Sequence, residues 1–407
     1  MNKILTLGDH YVSDFIKPGQ PKREEKKWSL DLYLEYKDGA VRLKDPVPPK
    51  AMYGKYWYRS GINGSMTKQL GNIVNEICDR ITYKKGDVWL DIACNDGTLL
   101  RQVPDEFCKV GIDPADDSYL VESTKVATVV QDFFSRDAYE RSGHGGIKPK
   151  VITCIAMFYD IENREEFLKD VYDILDDDGV FVLQMSYTPL MLHQLAFDNI
   201  CHEHLYYYDL NSLDSLFSRC GFVLRDCNLN DTNGGSFRVY FQKNTSDENK
   251  FMSRQMRDVC WMRCQSIMCH ENKKYCITDP EVWSRFGMRI QNLKKETLEF
   301  LEKAKKEGKI VYGYGASTKG NTLLQIFGIT EDLLPAIAER NPEKVGCRTI
   351  GSDIPIISED QMRRDNPHYL LVLPWHFIDE FVKREYSYLN GGGKLVVPCP
   401  TFKIIGE

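Results

Sequence analysis

Between Val88 and Ser186, short apolar runs alternate with stretches whose apolar residues recur at helical spacing, a pattern that leaves few architectures open. VWLDIAC, FCKVGID, ATVVQDF, VITCIAMF and GVFVLQMS read as buried strands. A helix precedes them, marked by Met66, Leu70, Ile73, Val74, Ile77 and Ile81, and two more are expected near 119–125 and over 164–175. Strands bridged by helices make a doubly wound parallel sheet, because a parallel neighbour is reached only by a crossover. After a long connection at 187–208 and a helix at 210–219, FVLRDCNL and SFRVYFQ are expected to close the sheet antiparallel. KIVYGYGA opens a second series that runs through LLPAIAE, IPIIS, HYLLVLPW and GGKLVVPCP.

The expected fold class is therefore α/β, in four parts. Residues 1–65 form an irregular lobe with a few strands such as LDLYLEY, and 66–243 form a Rossmann-like domain. Residues 244–308 form a charged helical connector, and 309–407 a second Rossmann-like α/β domain. A net charge of -6 offers no footprint for a nucleic-acid backbone. No apolar stretch is long enough to cross a bilayer, and MNKILTLGDHYVSDF lacks the layout of a secretion signal. The expectation is a cytosolic protein with no nucleic-acid or membrane partner; its oligomeric state is left open, a monomer being compatible with the sequence. The 13 cysteines sit mostly inside apolar runs, as reduced thiols do. The cluster Cys260, Cys264, Cys269, His270 and Cys276 has no CxxC knuckle and reads as an amphipathic helix, so no metal site is expected.

DIACNDGTLL places Asp91 at the end of a buried strand, followed by a tight turn through Asn95, Asp96 and Gly97 and then a helix start. Acidic side chains in such a turn suit the ammonium of a methionine-like moiety and repel a pyrophosphate. One strand later GIDPA offers Asp113 to both hydroxyls of a ribose. One strand later again QDFF offers Asp132 to an adenine amino group and Phe133 to the ring face. Each could be an ordinary strand-ending acid, but three in order point to S-adenosylmethionine as cofactor.

FDNICHEHLYYY sets His202, Glu203 and His204 side by side. On an extended backbone the two histidines would face away from Glu203. A metal pair, a hydrogen-bonded structural histidine and acid/base chemistry beside the methyl donor are the three readings of this triplet. In the second α/β series, YGYGASTKGN has the look of a dinucleotide loop but departs from that fingerprint at Thr318.

DIACNDGTLL, CHEHLYYYDLNSLDSLF, NGGSFRVYF, YGYGASTKGNTLL, AERNPEKVGCRTIGSDIPI and VLPWHF together resemble the nucleotide-sugar C-methyltransferases of deoxysugar pathways, from about Leu5 to Ile405. The resemblance implies transfer of a branch methyl to a dTDP-linked 4-keto-6-deoxy sugar, at C3. It implies that 66–243 binds S-adenosylmethionine, that 1–65 takes part in substrate binding and that 309–407 holds the nucleotide sugar. Glu203 and His204 match the acid/base pair, with His204 as the expected base, His202 beside them, and Tyr58 of KYWYRSG reaching in. Backbone donors from Gly315 to Ser317, with Lys319 and Asn321, and Arg340 and Asn341 from the next strand end, are the implied contacts to the diphosphate or sugar.

Two departures stand out. Cys201 replaces a tyrosine of the family, and the four zinc cysteines of the family's N-terminal lobe are missing, with Glu35 and Asp38 about where the second pair would be. Without thiolates the lobe is expected to be held by packing. These departures keep open a protein that binds both ligands without turnover. Methylation of oxygen or nitrogen is the other alternative.

Overall fold

A computed structural model describes residues 2–20, 26–48, 59–62, 64–247 and 251–406. Its largest sheet has seven strands, in the order Phe222–Asn230, Ser236–Lys243, Val180–Ser186, Val151–Ile155, Val88–Ile92, Cys108–Ile112 and Thr128–Val130. The last five pair in parallel, while Ser236–Lys243 runs antiparallel to both of its neighbours. The central strands are buried along nearly their whole length because helices cover both faces. In the helix Gly64–Cys78, for instance, Leu70, Ile73, Val74 and Ile77 form one buried stripe, in a cluster with Trp89.

From Val88–Ile92 the chain winds outward to Thr128–Val130, then returns to Val151–Ile155 on the other side. That reversal opens a crevice beyond the carboxyl ends of Val88–Ile92 and Val151–Ile155. A second sheet has six strands, ordered Ile356–Ser358, Ile337–Glu339, Val311–Tyr314, Tyr369–Val372, Lys394–Val397 and Lys403–Ile405. It reverses in the same way between Val311–Tyr314 and Tyr369–Val372. Two long helices, Arg254–Lys274 and Pro280–Lys306, lie between the sheets in sequence.

Two local expectations need correction, and one connection gains detail. The turn after Asp91 is followed by a short 3-10 segment, Leu100–Gln102, and not by an α-helix, so no helix dipole points at the turn. The helix expected near 119–125 is one turn, Asp117–Leu120. The connection 187–208 is structured: it holds the helix Thr188–His193 and a strand Tyr206–Tyr207, which pairs with Val41–Leu43 and completes a four-stranded sheet with the N-terminal lobe.

That lobe is also not held by packing alone. The buried Arg164 guanidinium donates to Asp38 at 3.0 Å and to Glu35 at 2.7 Å, and it lies 3.7 Å from the Tyr206 ring centroid. Glu35 and Asp38, at the place of the missing cysteines, thus fix the lobe to the larger domain through a charge pair. Among the described residues no group of His, Cys, Asp and Glu could hold a metal ion.

Candidate active site

The turn after Asp91 is built by charge and by backbone shape together. Trp89 Nε1 donates to the Thr153 hydroxyl at 3.2 Å, and that hydroxyl donates to Asp91 Oδ1 at 2.6 Å. Burial, with Asp113 nearby, lifts the Asp91 carboxyl to about 7 despite the Thr153 bond. Ala93, Asn95 and Gly97 all take positive φ (60°, 50° and 72°). At Gly97 a side chain has no room, since an added Cβ would lie 2.7 Å from Ser123 Cα.

Side chains brace the turn. Asp113 accepts from Asn95 N and Ala115 N, both at 2.8 Å, and burial raises its pKa. Asp96 accepts from Thr98 Oγ1 at 2.6 Å and from Gly61 N at 2.8 Å, while Asn95 Oδ1 accepts from Ser60 N at 3.2 Å. Asp132 is ion-paired to Arg141, which holds its carboxyl below the usual range, and the Phe133 ring is 54% exposed.

Asp91, Asp113 and Asp132 therefore do stand at adjacent strand ends, with an open aromatic face beside them. Asp91, Asp113 and Asp132 each already accept one or more protein hydrogen bonds, from Thr153, from Asn95 N and Ala115 N, and from Arg141.

The triplet behaves differently from an extended strand. His204 N donates to Cys201 O at 3.2 Å, so the backbone turns and splits the residues by direction. His202 Nε2 meets the Trp28 carbonyl of the N-terminal lobe at 3.0 Å, and burial lowers its pKa to about 4. Glu203 and His204 share a different neighbour, the Lys319 ammonium. The His204 ring packs on Tyr159, 4.2 Å between centroids, just beyond Val151–Ile155 at the rim of the first crevice. Its Nδ1 donates to the Asn199 carbonyl at 2.8 Å. Burial and Lys319 lower the His204 pKa to about 3, and burial raises the Glu203 carboxyl to about 7. A neutral imidazole with Nε2 as acceptor thus stands beside a carboxyl that carries its proton near neutrality. Cys201 is buried and its thiol pKa is pushed up, so it stays protonated.

The second domain meets this turn directly. Trp375 Nε1 donates to Asp198 Oδ2 at 3.1 Å, and Lys319 Nζ donates to Asn199 Oδ1 at 2.5 Å. The other residues of the glycine-rich loop are engaged locally. Gly315 N bonds Ala338 O, Ala316 N bonds Glu339, and Ser317 Oγ caps its helix by accepting from Gly320 N at 2.9 Å. Gly315 is required by Pro374, whose ring would lie 2.6 Å from an added Cβ. Asn321 is buried with Nδ2 toward Asp14 O at 3.4 Å, Asn341 accepts from Glu343 N at 3.0 Å, and Arg340 is exposed. Only Lys319 of that set reaches the His204 turn, and the backbone cradle expected at Gly315–Ser317 has its donors already bonded. Tyr58 lies outside the described residues. Thr153, Tyr159, Asn199, Trp375 and His376 were not singled out by sequence. Thr153, a lone polar residue within VITCI, was the one signal available.

Residues 64–226 match the family described as methyltransferase domain, and residues 231–400 the family described as C-methyltransferase C-terminal domain. A protein named C-methyltransferase NovU, from Streptomyces niveus, is 28% identical over 387 residues, 94% of this chain and 88% of its own length. The chain is an S-adenosylmethionine-dependent C-methyltransferase. A sphingolipid C9-methyltransferase of Komagataella phaffii is 28% identical to this methyltransferase over 150 residues, 32% of the chain and 30% of that protein. Among solved structures, magnesium protoporphyrin IX methyltransferase of Synechocystis PCC 6803 with bound SAH matches at 12% identity, covering 48% of this chain and 91% of that one, with a TM-score of 0.34.

Proposed function

We propose that this methyltransferase adds a branch methyl to carbon of a nucleotide-linked 4-keto-6-deoxy sugar, most simply a dTDP sugar methylated at C3. The observation that carries the reading is His204, a neutral imidazole whose Nδ1 is fixed by Asn199 and whose Nε2 is the basic nitrogen. A saturated carbon is not nucleophilic until a base removes a proton, and a carbon next to a ketone is where such a base can act.

Bound over Asp91, Asp113 and Asp132, S-adenosylmethionine supplies an electrophilic methyl group. The chain's own residues do the rest. His204 Nε2 takes the proton beside the ketone. Glu203, protonated near neutrality, donates a hydrogen bond to the ketone oxygen and so favours the enolate. The buried wall around Cys201, Tyr207 and Trp375 keeps water from that carbon. The reading is further supported by the second crevice, which meets the same turn through Lys319 and Trp375 and gives the nucleotide a place apart from the methyl donor.

Incubation with isotope-labelled S-adenosylmethionine and a dTDP-4-keto-6-deoxy sugar tests this. The expected product carries one new methyl on C3 by NMR. A methyl on oxygen, or no transfer to any keto sugar nucleotide, overturns the assignment.

A further inference from the structure

Lys319 belongs to the second domain, yet its ammonium lies in the acid/base cluster of the first. Nζ donates to Asn199 Oδ1 at 2.5 Å, and the backbone carbonyl of the same Asn199 accepts from His204 Nδ1 at 2.8 Å. One residue therefore fixes both the cation and the base. An ammonium has three donors, and this is the one hydrogen bond described for Lys319. Its charge acts on Asp198, Cys201, Glu203, His204 and His376, which converge from two domains. Asp198 is buried with Oδ1 lacking a hydrogen bond.

These surroundings decide what anion Lys319 can serve. A diphosphate would bring about two negative charges next to the buried Asp198 carboxyl, whose Oδ1 has no hydrogen bond to offset them, and like charges at such spacing repel. The backbone donors at Gly315, Ala316 and Ser317 that would help to hold it are already bonded, and Arg340 is exposed. A single negative charge that exists only during the reaction suits the site better. It is neutralised as it forms, and it disappears again on methyl transfer.

We propose that Lys319 is a catalytic residue, the cation that holds the charge on the acceptor's ketone oxygen while His204 removes the neighbouring proton. This rests on the keto-sugar reading given above. The C–H bond breaks and its proton goes to His204 Nε2. Its electron pair becomes the carbon–carbon double bond, and the carbonyl π pair moves to oxygen, against Nζ. Asn199 sets the distance between the two groups, so proton removal and charge stabilisation are aligned before substrate arrives.

The test needs no methyl donor. A dTDP-4-keto-6-deoxy sugar is held in D2O with the protein, and exchange of the hydrogen beside the ketone is followed by NMR. Binding of dTDP alone is measured by calorimetry. The expected result for Lys319→Met is exchange slowed about a hundredfold or more with dTDP affinity unchanged. Exchange at the wild-type rate overturns the proposal, and so does a variant whose exchange is normal at saturating substrate while dTDP binding is lost. Should Lys319→Met not fold, Lys319→Gln decides, because it can still donate to Asn199 without carrying charge: slow exchange supports the proposal and unchanged exchange overturns it. Wild-type protein that exchanges no keto sugar nucleotide overturns the acceptor reading itself, and this role with it.

Discussion

His204 Nδ1 lies 2.8 Å from the backbone carbonyl oxygen of Asn199, so Nδ1 carries the proton and Nε2 is the nitrogen left to accept one. Because burial and the Lys319 charge hold this ring's pKa near 3, it is neutral across the working range and needs no prior deprotonation. Replacing it by Gln removes the base while keeping a polar side chain. His204→Gln should lower methyl transfer by about 10²–10⁴-fold. S-adenosylmethionine binding, measured by calorimetry, should be intact, and full activity in the variant would remove His204 from the mechanism.

On the proposed mechanism, Glu203 should set the pH response of the chemical step. Its carboxyl is raised to about 7 by burial, with Asp14 raising it further and Lys319 opposing. Since the protonated form is the one that donates to the ketone oxygen, kcat at saturating methyl donor should fall as pH rises through about 7. Glu203→Gln, a permanent donor, should retain activity and flatten that limb. A profile identical to wild type would assign the limb to another group.

On the proposed site, Asp91 should act on methyl-donor binding in the opposite sense. Its carboxyl titrates at about 7, above the ordinary value, and only the ionised form attracts an ammonium. Affinity for S-adenosylmethionine should therefore climb as pH rises through about 7. Asp91→Asn should weaken binding at pH 8 by about 1.5–3 kcal/mol, roughly ten- to a hundredfold, and remove the pH dependence. The sign for stability is reversed. The folded, ligand-free protein holds this proton more tightly than the unfolded chain, so Asp91 disfavours folding increasingly from the ordinary carboxylate range up to about 7. Saturating donor should cancel that loss in a melting series across pH.

Arg164 is the fourth test. Its guanidinium joins Asp38, whose side chain is fully buried, and Glu35. Arg164→Met would leave the buried Asp38 carboxylate with the longer Arg219 contact at 3.6 Å and the Ala40 N bond at 3.2 Å, so the loss should stay below the about 3–5 kcal/mol of a buried pair broken outright. Urea unfolding should show that loss. Arg164→Lys should not restore it, because an ammonium cannot reproduce the forked contact or the stacking on Tyr206. A zinc chelator should leave the wild-type melting point unchanged.

The residues differ in how far the sequence revealed them, and the reason is whether their partners are local. Asp91, Asn95, Asp96, Gly97 and Asp113 were legible because each is placed by its own strand end and turn, where chain order and spatial order coincide. The alternation of strands and helices was legible for the same reason. The split of His202 from Glu203 and His204 was not, since it depends on one backbone turn closed from His204 N to Cys201 O. Lys319 was singled out from its loop, but its destination was not visible there.

By itself, the sequence determined the two α/β sheets and the acidic residues at three adjacent strand ends, because periodic burial and strand-end chemistry are short-range properties. Only tertiary structure decided the rest. Asn199 and Lys319 are 120 residues apart yet meet at 2.5 Å, and Arg164 reaches Asp38 across 126 residues at 3.0 Å. Such contacts arise where separate domains pack, and no local pattern of residues encodes which side chain will face which across that junction.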